Sequence, residues 1–485
     1  MIRVAGLRFS YGNNGSEALA GLDLSVKPEE RVLISGPTGC GKSTLGWVLC
    51  GAAPGLIPGR LSGRVEIRGR PVGDRSPRDL SRDLGFLLQN VEHQIFTDRV
   101  ADEIAFGLEN FGVPEAEMND RIMTALDRVS AVHLAGRTLA TLSAGERQRV
   151  MLSALLALDP PILLLDEPMA FLDQNAQTTL LDLTAGLARS GRTVLIFEHR
   201  RDIIRPAVDR EVAMAGGCVR AAPAATFDFP AVRPGPMGEE RLVFDEVAAA
   251  WPGRERPLFT EASFSVRSGE SVALLGENGS GKTTLLSMAM GLVKPASGVI
   301  QNHGRPVGRA SPSELARKTA FLFQHPDHQL YLARVGDEVR MQARDRETAD
   351  AELAALGLSG LEDRHPRSLS MGQKRRLTIA AALARRPRLL LMDEPSVGQD
   401  DDSLRRILQR LDRFVREGGA LLTATHDVRV ARALAHRTLI LANGQLSTGN
   451  REAARAFFDD GPRPKSAGPL QPAHEAPIHR PVFDI

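Results

Sequence analysis

Two stretches of this 485-residue chain join bare backbone to a single cation: Gly36-Pro37-Thr38-Gly39-Cys40-Gly41-Lys42-Ser43-Thr44 and, 240 residues later, Gly276-Glu277-Asn278-Gly279-Ser280-Gly281-Lys282-Thr283-Thr284. Both fit the G-x-x-x-x-G-K-[ST] pattern, in which the glycines let backbone amides and a helix N-terminus converge on a phosphate chain. Lys42 and Lys282 supply charge at the β- and γ-phosphates, and Ser43 and Thr283 a hydroxyl for Mg²⁺. The chemistry these residue types suit is binding of a nucleoside triphosphate followed by attack of water on its last phosphate.

That chemistry also needs carboxylates. Asp166-Glu167 and Asp393-Glu394 each close an apolar run, Ile162 to Leu165 and Leu389 to Met392, that reads as a buried parallel strand. The carboxyl end of such a strand is where an open α/β sheet binds its ligand. Asp166 and Asp393 are expected to hold Mg²⁺, and Glu167 and Glu394 to polarise the attacking water. Leu-Ser-Ala-Gly-Glu at 142–146 and Leu-Ser-Met-Gly-Gln at 369–373 form S-x-x-[EQ] capping boxes ahead of helical patterns. Capping does not call for Gly145 and Gly372. Beside Ser143 and Ser370 they leave bare amides at a helix N-terminus, a second phosphate-binding surface.

The elements that must position these groups come in two copies. Arg31 to Ser35 and Ser271 to Leu275 read as the strands ahead of the glycine loops, and apolar residues at helical spacing follow each loop. The copies run 240 residues apart at Lys42/Lys282, 235 at Gln89/Gln324, and 227 at Ser143/Ser370, Glu167/Glu394 and His199/His426, so the second copy has a trimmed insert. The division expected is 1–220, a Pro-rich linker at 221–240, 241–458, and a Pro-rich mobile tail at 459–485.

Composition narrows the field. Lys plus Arg is 61 against Asp plus Glu 59, a net +2, so no basic field for nucleic acid is present. The three cysteines, Cys40, Cys50 and Cys218, make neither a disulfide framework nor a zinc spacing, which suits a reducing cytosol. The most apolar stretches break well short of the ~20 residues that a membrane helix needs, and the start lacks the order of a secretory signal. Any membrane role is expected to come through a partner.

With these motifs in register, the sequence resembles two nucleotide-binding domains of the ATP-binding cassette superfamily fused in tandem, over nearly all of residues 1–455. The resemblance implies an α/β fold: two P-loop NTPase domains, each a mixed sheet core with an inserted helical subdomain. LSAGE and LSMGQ are similar to the family's signature loop, Gln89 and Gln324 to its Q-loop glutamine (a further Mg²⁺ contact), and His199 and His426 to its switch histidine. Each histidine follows its glutamate by 32 residues. Tyr11 and Trp251 resemble the aromatic that stacks on adenine. Carried over, one ATP lies among Lys42, Ser43, Gln89, Asp166, Glu167, His199, Ser370 and Gly372, and another among Lys282, Thr283, Gln324, Asp393, Glu394, His426, Ser143 and Gly145. The departures are Ala144 and Met371, where the family usually has glycine, and Gln399 opposite Leu172. Two competent sites are expected, with equal rates in question.

The segments after the Q-loop glutamines show an acidic residue, His, Gln and an apolar pair, Glu92-His93-Gln94-Ile95-Phe96 and Asp327-His328-Gln329-Leu330-Tyr331. This is similar to the ATPase subunits of energy-coupling factor importers, which take up vitamins and transition-metal ions. The resemblance implies a place on the cytoplasmic face of the membrane, with a transmembrane coupling subunit and a small substrate-binding membrane protein as partners. In this family the segment forms a groove for a coupling helix, and the apolar pairs beside charged residues suit such a contact. A ribosome-acting tandem cassette usually has a long charged helical linker, and a sugar-importer ATPase often has one degraded site. The short linker and two intact motif sets favour neither.

Overall fold

The computed structural model describes residues 1–12, 17–170, 172–221, 229–250, 257–449 and 457. Trp251, residues 222–228 of the expected linker and the tail at 459–485 lie outside them.

Each half has two sheets. In the first, Glu17–Val26, Ile2–Tyr11, Gly59–Ile67 and Arg70–Pro71 form an antiparallel sheet. Leu84–Leu87, Ile162–Asp166, Thr193–Glu198, Arg31–Ser35 and Arg210–Ala215 run parallel, with Cys218–Arg220 antiparallel at the edge. The central strands are buried at every residue, Ile162 to Asp166 and Thr193 to Glu198, because helices cover both faces of the parallel sheet. The second half repeats this order: Thr319–Leu322, Leu389–Asp393, Ala420–Ala424, Ser271–Leu275, Arg437–Ala442 and Gln445–Gly449. The fold is thus mixed α/β, built twice.

The inserted helices pack as a separate layer. In the first half they are Val100–Asn110, Glu115–Arg128 and Ala144–Ala157, whose inner faces share one apolar core with Leu163, Leu165 and Ile196 of the sheet. In the second half they are Val335–Arg340, Arg346–Ala355 and Met371–Ala384. The first two are the shorter ones, as the contracted spacing requires, while the third keeps 14 residues in both halves.

Of the expected linker, residues 229–239 run without regular structure and are tied to the second half. Val232 is buried in its core and donates its N–H to Ala433 O at 2.7 Å. Gly235 donates to Gly269 O at 3.0 Å and lies where a Cβ would collide with the Val415 carbonyl.

Candidate functional site

The helices after the glycine loops, Lys42–Leu49 and Lys282–Ala289, are each N-capped by a glycine at positive φ, 104° at Gly41 and 110° at Gly281. Only glycine fits at Gly41, where a Cβ would stand 2.5 Å from Ala18 O. Both helices present their first amides with no side-chain cap, which leaves those donors for a ligand. Lys42 donates to Gly36 O at 2.7 Å and Pro37 O at 3.1 Å; Lys282 donates to Gly276 O at 2.8 Å and Glu277 O at 3.0 Å. Both ammonium groups therefore lie along the inner curve of their loops. Tyr11 stands beside the first loop, sharing a hydrogen bond with Thr44 Oγ1 at 2.8 Å and meeting Phe9 edge-on, with its ring partly open to solvent.

Asp166 and Asp393 end their strands directly behind the loop hydroxyls. Thr283 donates to Asp393 Oδ2 at 2.6 Å, and Ser43 makes the matching bond to Asp166. Burial, and then the adjoining glutamate, push Asp166 up to about 7 and Asp393 up to about 6. Asp166 Oδ1 is buried without a hydrogen-bond partner. An oxygen-only donor pair, hydroxyl plus carboxylate, with its charge destabilised by burial fits a hard cation that completes its shell with phosphate oxygens, as Mg²⁺ does. Among the described residues no group of three or more His, Cys, Asp and Glu could hold a metal by itself.

Glu167 and Glu394 follow at φ 45° and 50°, a left-handed conformation uncommon for glutamate. The strain is held by the N–H of Glu167, which donates to Phe197 O at 2.8 Å, and that of Glu394, which donates to Ala424 O at 2.9 Å. Gln89 Nε2 donates to Glu167 Oε2 at 2.6 Å. His199 Nδ1 lies 3.7 Å from Glu167 Oε1 but 2.9 Å from Glu198 Oε1. In the second half the histidine meets the glutamate directly, His426 Nδ1 to Glu394 Oε1 at 2.8 Å. Burial opposes a charge on His199, yet the Glu198 and Glu167 carboxylates raise it to about 10, while Glu198 is lowered to about 2 by the same pairing despite its own burial.

The two halves meet at these loops. Ser143, Gly145, Lys282, Thr283, Gln324, Asp393 and Glu394 line one cavity of about 380 Å³, so the first half's serine-glycine loop faces the second half's glycine loop. At the other junction the Thr38 N–H donates to Asp400 Oδ2 at 2.7 Å, mirrored by the Asn278 N–H to Asp173 Oδ2 at 3.3 Å. Ser143 and Ser370 accept from the N–H groups of Glu146 and Gln373, each at 3.3 Å, completing the two capping boxes. A Cβ on Gly372 would collide with Gly398 O, so the neighbouring loop makes the close approach there.

A family model described as ABC transporter matches residues 19–170 and 259–397. The chain belongs to the ABC transporter family. As an ABC ATPase it binds ATP and couples its hydrolysis to transport. A Bacillus subtilis protein named for HMP/thiamine import, YkoD, is 31% identical over 91% of this chain and 90% of its own. A Streptomyces avermitilis protein named as an ABC transporter ATP-binding protein is 31% identical over 98% of both chains. Among solved structures, one described as a model of ribosome-bound archaeal Pelota and ABCE1 superposes with a TM-score of 0.71 at 19% identity, covering 94% of this chain and 80% of that one, which shows the fold.

Three residues of this ABC ATPase escaped the motif reading. Asp173 and Asp400 each lie six residues after the strand-ending glutamate, a regularity visible in the sequence, and each also caps the helix that follows. Glu198 carries no such signal, because its counterpart in the second cassette is Thr425.

Proposed function

We propose that this chain is the ATP-hydrolysing subunit of an energy-coupling factor type importer for a vitamin or transition-metal ion, working with a transmembrane coupling subunit and a small substrate-binding membrane protein. One observation carries this reading. In both cassettes the glutamine of the His-Gln pair seals the edge strand: Gln94 accepts from the Leu88 N–H at 2.8 Å and donates to Phe86 O at 2.8 Å, and Gln329 bonds the Phe323 N–H and Phe321 O in the same way. Buried Glu103 and Glu338 then take the next amides, those of Phe96 and Thr97 and of Tyr331 and Leu332. Ile95 and Leu330 pack on their cores, while Phe96 and Tyr331 are thrust out, 71% and 78% exposed. Rigid, outward aromatics beside the edge strand suit an apolar helix from a membrane partner. In the second cassette they adjoin a cavity of about 370 Å³ lined by Phe321, Phe323, Ala381 and Ala382. The relative named for HMP/thiamine import supports a vitamin-type cargo.

In this reading Lys42 and Lys282, with the loop amides, hold the phosphates of two ATP molecules, and Ser143-Gly145 and Ser370-Gly372 cover them from the opposite cassette. Tyr11 and Trp251 stack on the adenines. Ser43 with Asp166 and Thr283 with Asp393, helped by Gln89 and Gln324, hold Mg²⁺, which supplies charge neutralisation at the phosphates. Glu167 and Glu394 take the proton of the attacking water, and His199 and His426 orient the last phosphate. Closing of the loops on ATP draws the two docking faces together, and hydrolysis releases them.

Isolation of the chain from detergent-solubilised membranes tests the reading: it brings down a hydrophobic transmembrane subunit and a small membrane protein, and Phe96→Asp with Tyr331→Asp loses both. Recovery with ribosomes instead overturns it. Glu167→Gln with Glu394→Gln lowers hydrolysis by at least about a hundredfold while ATP stays bound.

A further inference from the structure

The two hydrolytic carboxylates are held by different partners, and the residue that makes the difference lies outside every shared motif. In the second cassette both oxygens of Glu394 belong to His426, which approaches with its ring nitrogen at 2.8 Å and its N–H at 3.3 Å. The residue before that histidine, Thr425, is uncharged, and its hydroxyl accepts from the Asp427 N–H at 3.0 Å. In the first cassette the same position is Glu198, fully buried, with Oε1 accepting the N–H groups of His199 at 2.9 Å and Arg200 at 3.3 Å. Those two bonds fix the carboxylate, since its withdrawal would leave buried amides unpaired. The His199 ring nitrogen thus lies 2.9 Å from an immobile anion and 3.7 Å from Glu167, with an aligned hydrogen bond to neither, and within a site this buried the nearer charge has the stronger pull. Glu167 in turn is bonded by Gln89 at 2.6 Å, from the loop that leads to the Phe96 docking face.

We infer that Glu198 is a positioning residue that draws His199 off Glu167 and leaves that carboxylate in the hold of Gln89, making the first ATP site the slower of the two. The inference rests on the roles given above to the glutamates and histidines. It divides control of the two sites. Turnover on the Lys282 side depends on its own histidine, and turnover on the Lys42 side on release by the Q-loop, the segment a docked partner touches.

The test uses the full chain with one site silenced at a time: Glu394→Gln leaves the first site active, Glu167→Gln the second. The Glu394→Gln chain is expected to show the lower kcat. Adding Glu198→Gln, which keeps an acceptor for the two amides and removes the charge, raises that kcat roughly fivefold with KM for ATP within about twofold. The reciprocal Thr425→Glu in the Glu167→Gln chain lowers kcat by a similar factor. An unchanged or reduced kcat on Glu198→Gln, or a gain seen only in KM, overturns the inference. So does a Thr425→Glu chain that keeps its rate. Turnover persisting in the Glu167→Gln, Glu394→Gln chain would instead remove the assignment of the hydrolytic carboxylates, so the two failures are told apart.

Discussion

Position 200 of the first cassette and position 427 of the second are the same point of the repeat, one residue past the switch histidine, and they face each other across the junction. One is Arg200 and the other Asp427, 3.9 Å apart. Two identical copies would place like charges there. A second divergence lies beneath the carboxylates, where Gln148 donates to Pro168 O in the first cassette and the matching Arg375 is fully buried in the second, donating to the carbonyls of Phe323 and Gln324. Burial lowers Arg375 to about 10, and the field of Asp393 and Glu394 works against that fall. A third is Gln399, which donates to Gly372 O at 2.9 Å and ties the Asp400 loop to the signature helix, where the first cassette has the apolar Leu172. The residue types of the glycine loops, strand-ending acids and histidines are shared between copies, while the residues that support them and the points where the copies touch have become complementary. That is what one chain can do and a symmetric pair of identical subunits cannot.

Arg200→Asp breaks the complementarity most directly. It sets a second carboxylate against buried Asp427, at a cost of about 3 kcal/mol to the pairing of the halves, and ATPase activity falls with it. The swapped pair, Arg200→Asp with Asp427→Arg, recovers a large part of the loss; equal activity in the single and double variants would show that the contact is idle. Acid probes the same point. Burial disfavours the charge on Asp427, but Arg429 and Arg200 hold its carboxyl well below the usual carboxylate range. Because that value is depressed on folding, its stabilisation is fully present above the ordinary carboxylate range, about pH 4, and is lost only as pH falls toward the folded value. Asp427→Asn therefore costs stability at pH 7 and flattens the acid limb of a pH–stability curve.

Arg375→Gln copies the first cassette into the second. It strands the Phe323 and Gln324 carbonyls, which have no shorter side chain to serve them, and a loss of about 2 kcal/mol is expected in urea unfolding. Less than about 0.5 kcal/mol would mean that water replaces the guanidinium there.

The glycine loops, the strand-ending acids and the capping boxes were legible because each is local: backbone geometry and spacing along the chain specify them. Tyr11, singled out by resemblance as an adenine-stacking aromatic, lies beside Thr44. The shorter insert of the second half followed from the drift in spacing between copies. What could not be read were contacts between residues far apart in sequence. Asp400 meets Thr38 across 362 residues, and only the folded halves bring them together. Glu198 carries no signal from the repeat, since its effect comes from having no counterpart in the second cassette. Arg375 stands in a basic run, Lys374-Arg375-Arg376, where nothing local sets it apart, although its neighbours' roles differ: Lys374 reaches Asp327 at the surface, and Arg376 donates to Leu356 O.

The smallest expected effect sharpens the comparison of the two cross-cassette aspartates. Each does two jobs at once, capping its own helix and taking an amide from the opposite glycine loop: Asp400 accepts from Ser403 at 2.8 Å and Thr38 at 2.7 Å, Asp173 from Ala176 at 3.0 Å and Asn278 at 3.3 Å. Asp400 is buried and Asp173 half-buried, so water competes less for the first pair. Asp400→Ala is expected to cost about 1 kcal/mol and Asp173→Ala about half that, with the Asn variants retaining most of the cap in both. The cap and the cross-cassette bond separate on adding ATP. Nucleotide on the Lys42 loop engages the amide-bearing segment that Asp400 holds, so Asp400→Asn shifts ATP affinity at the first site more than Asp173→Asn shifts it at the second. Equal shifts would show that the shorter bond carries no extra weight, and that the asymmetry of the two sites is confined to the histidine and its neighbours.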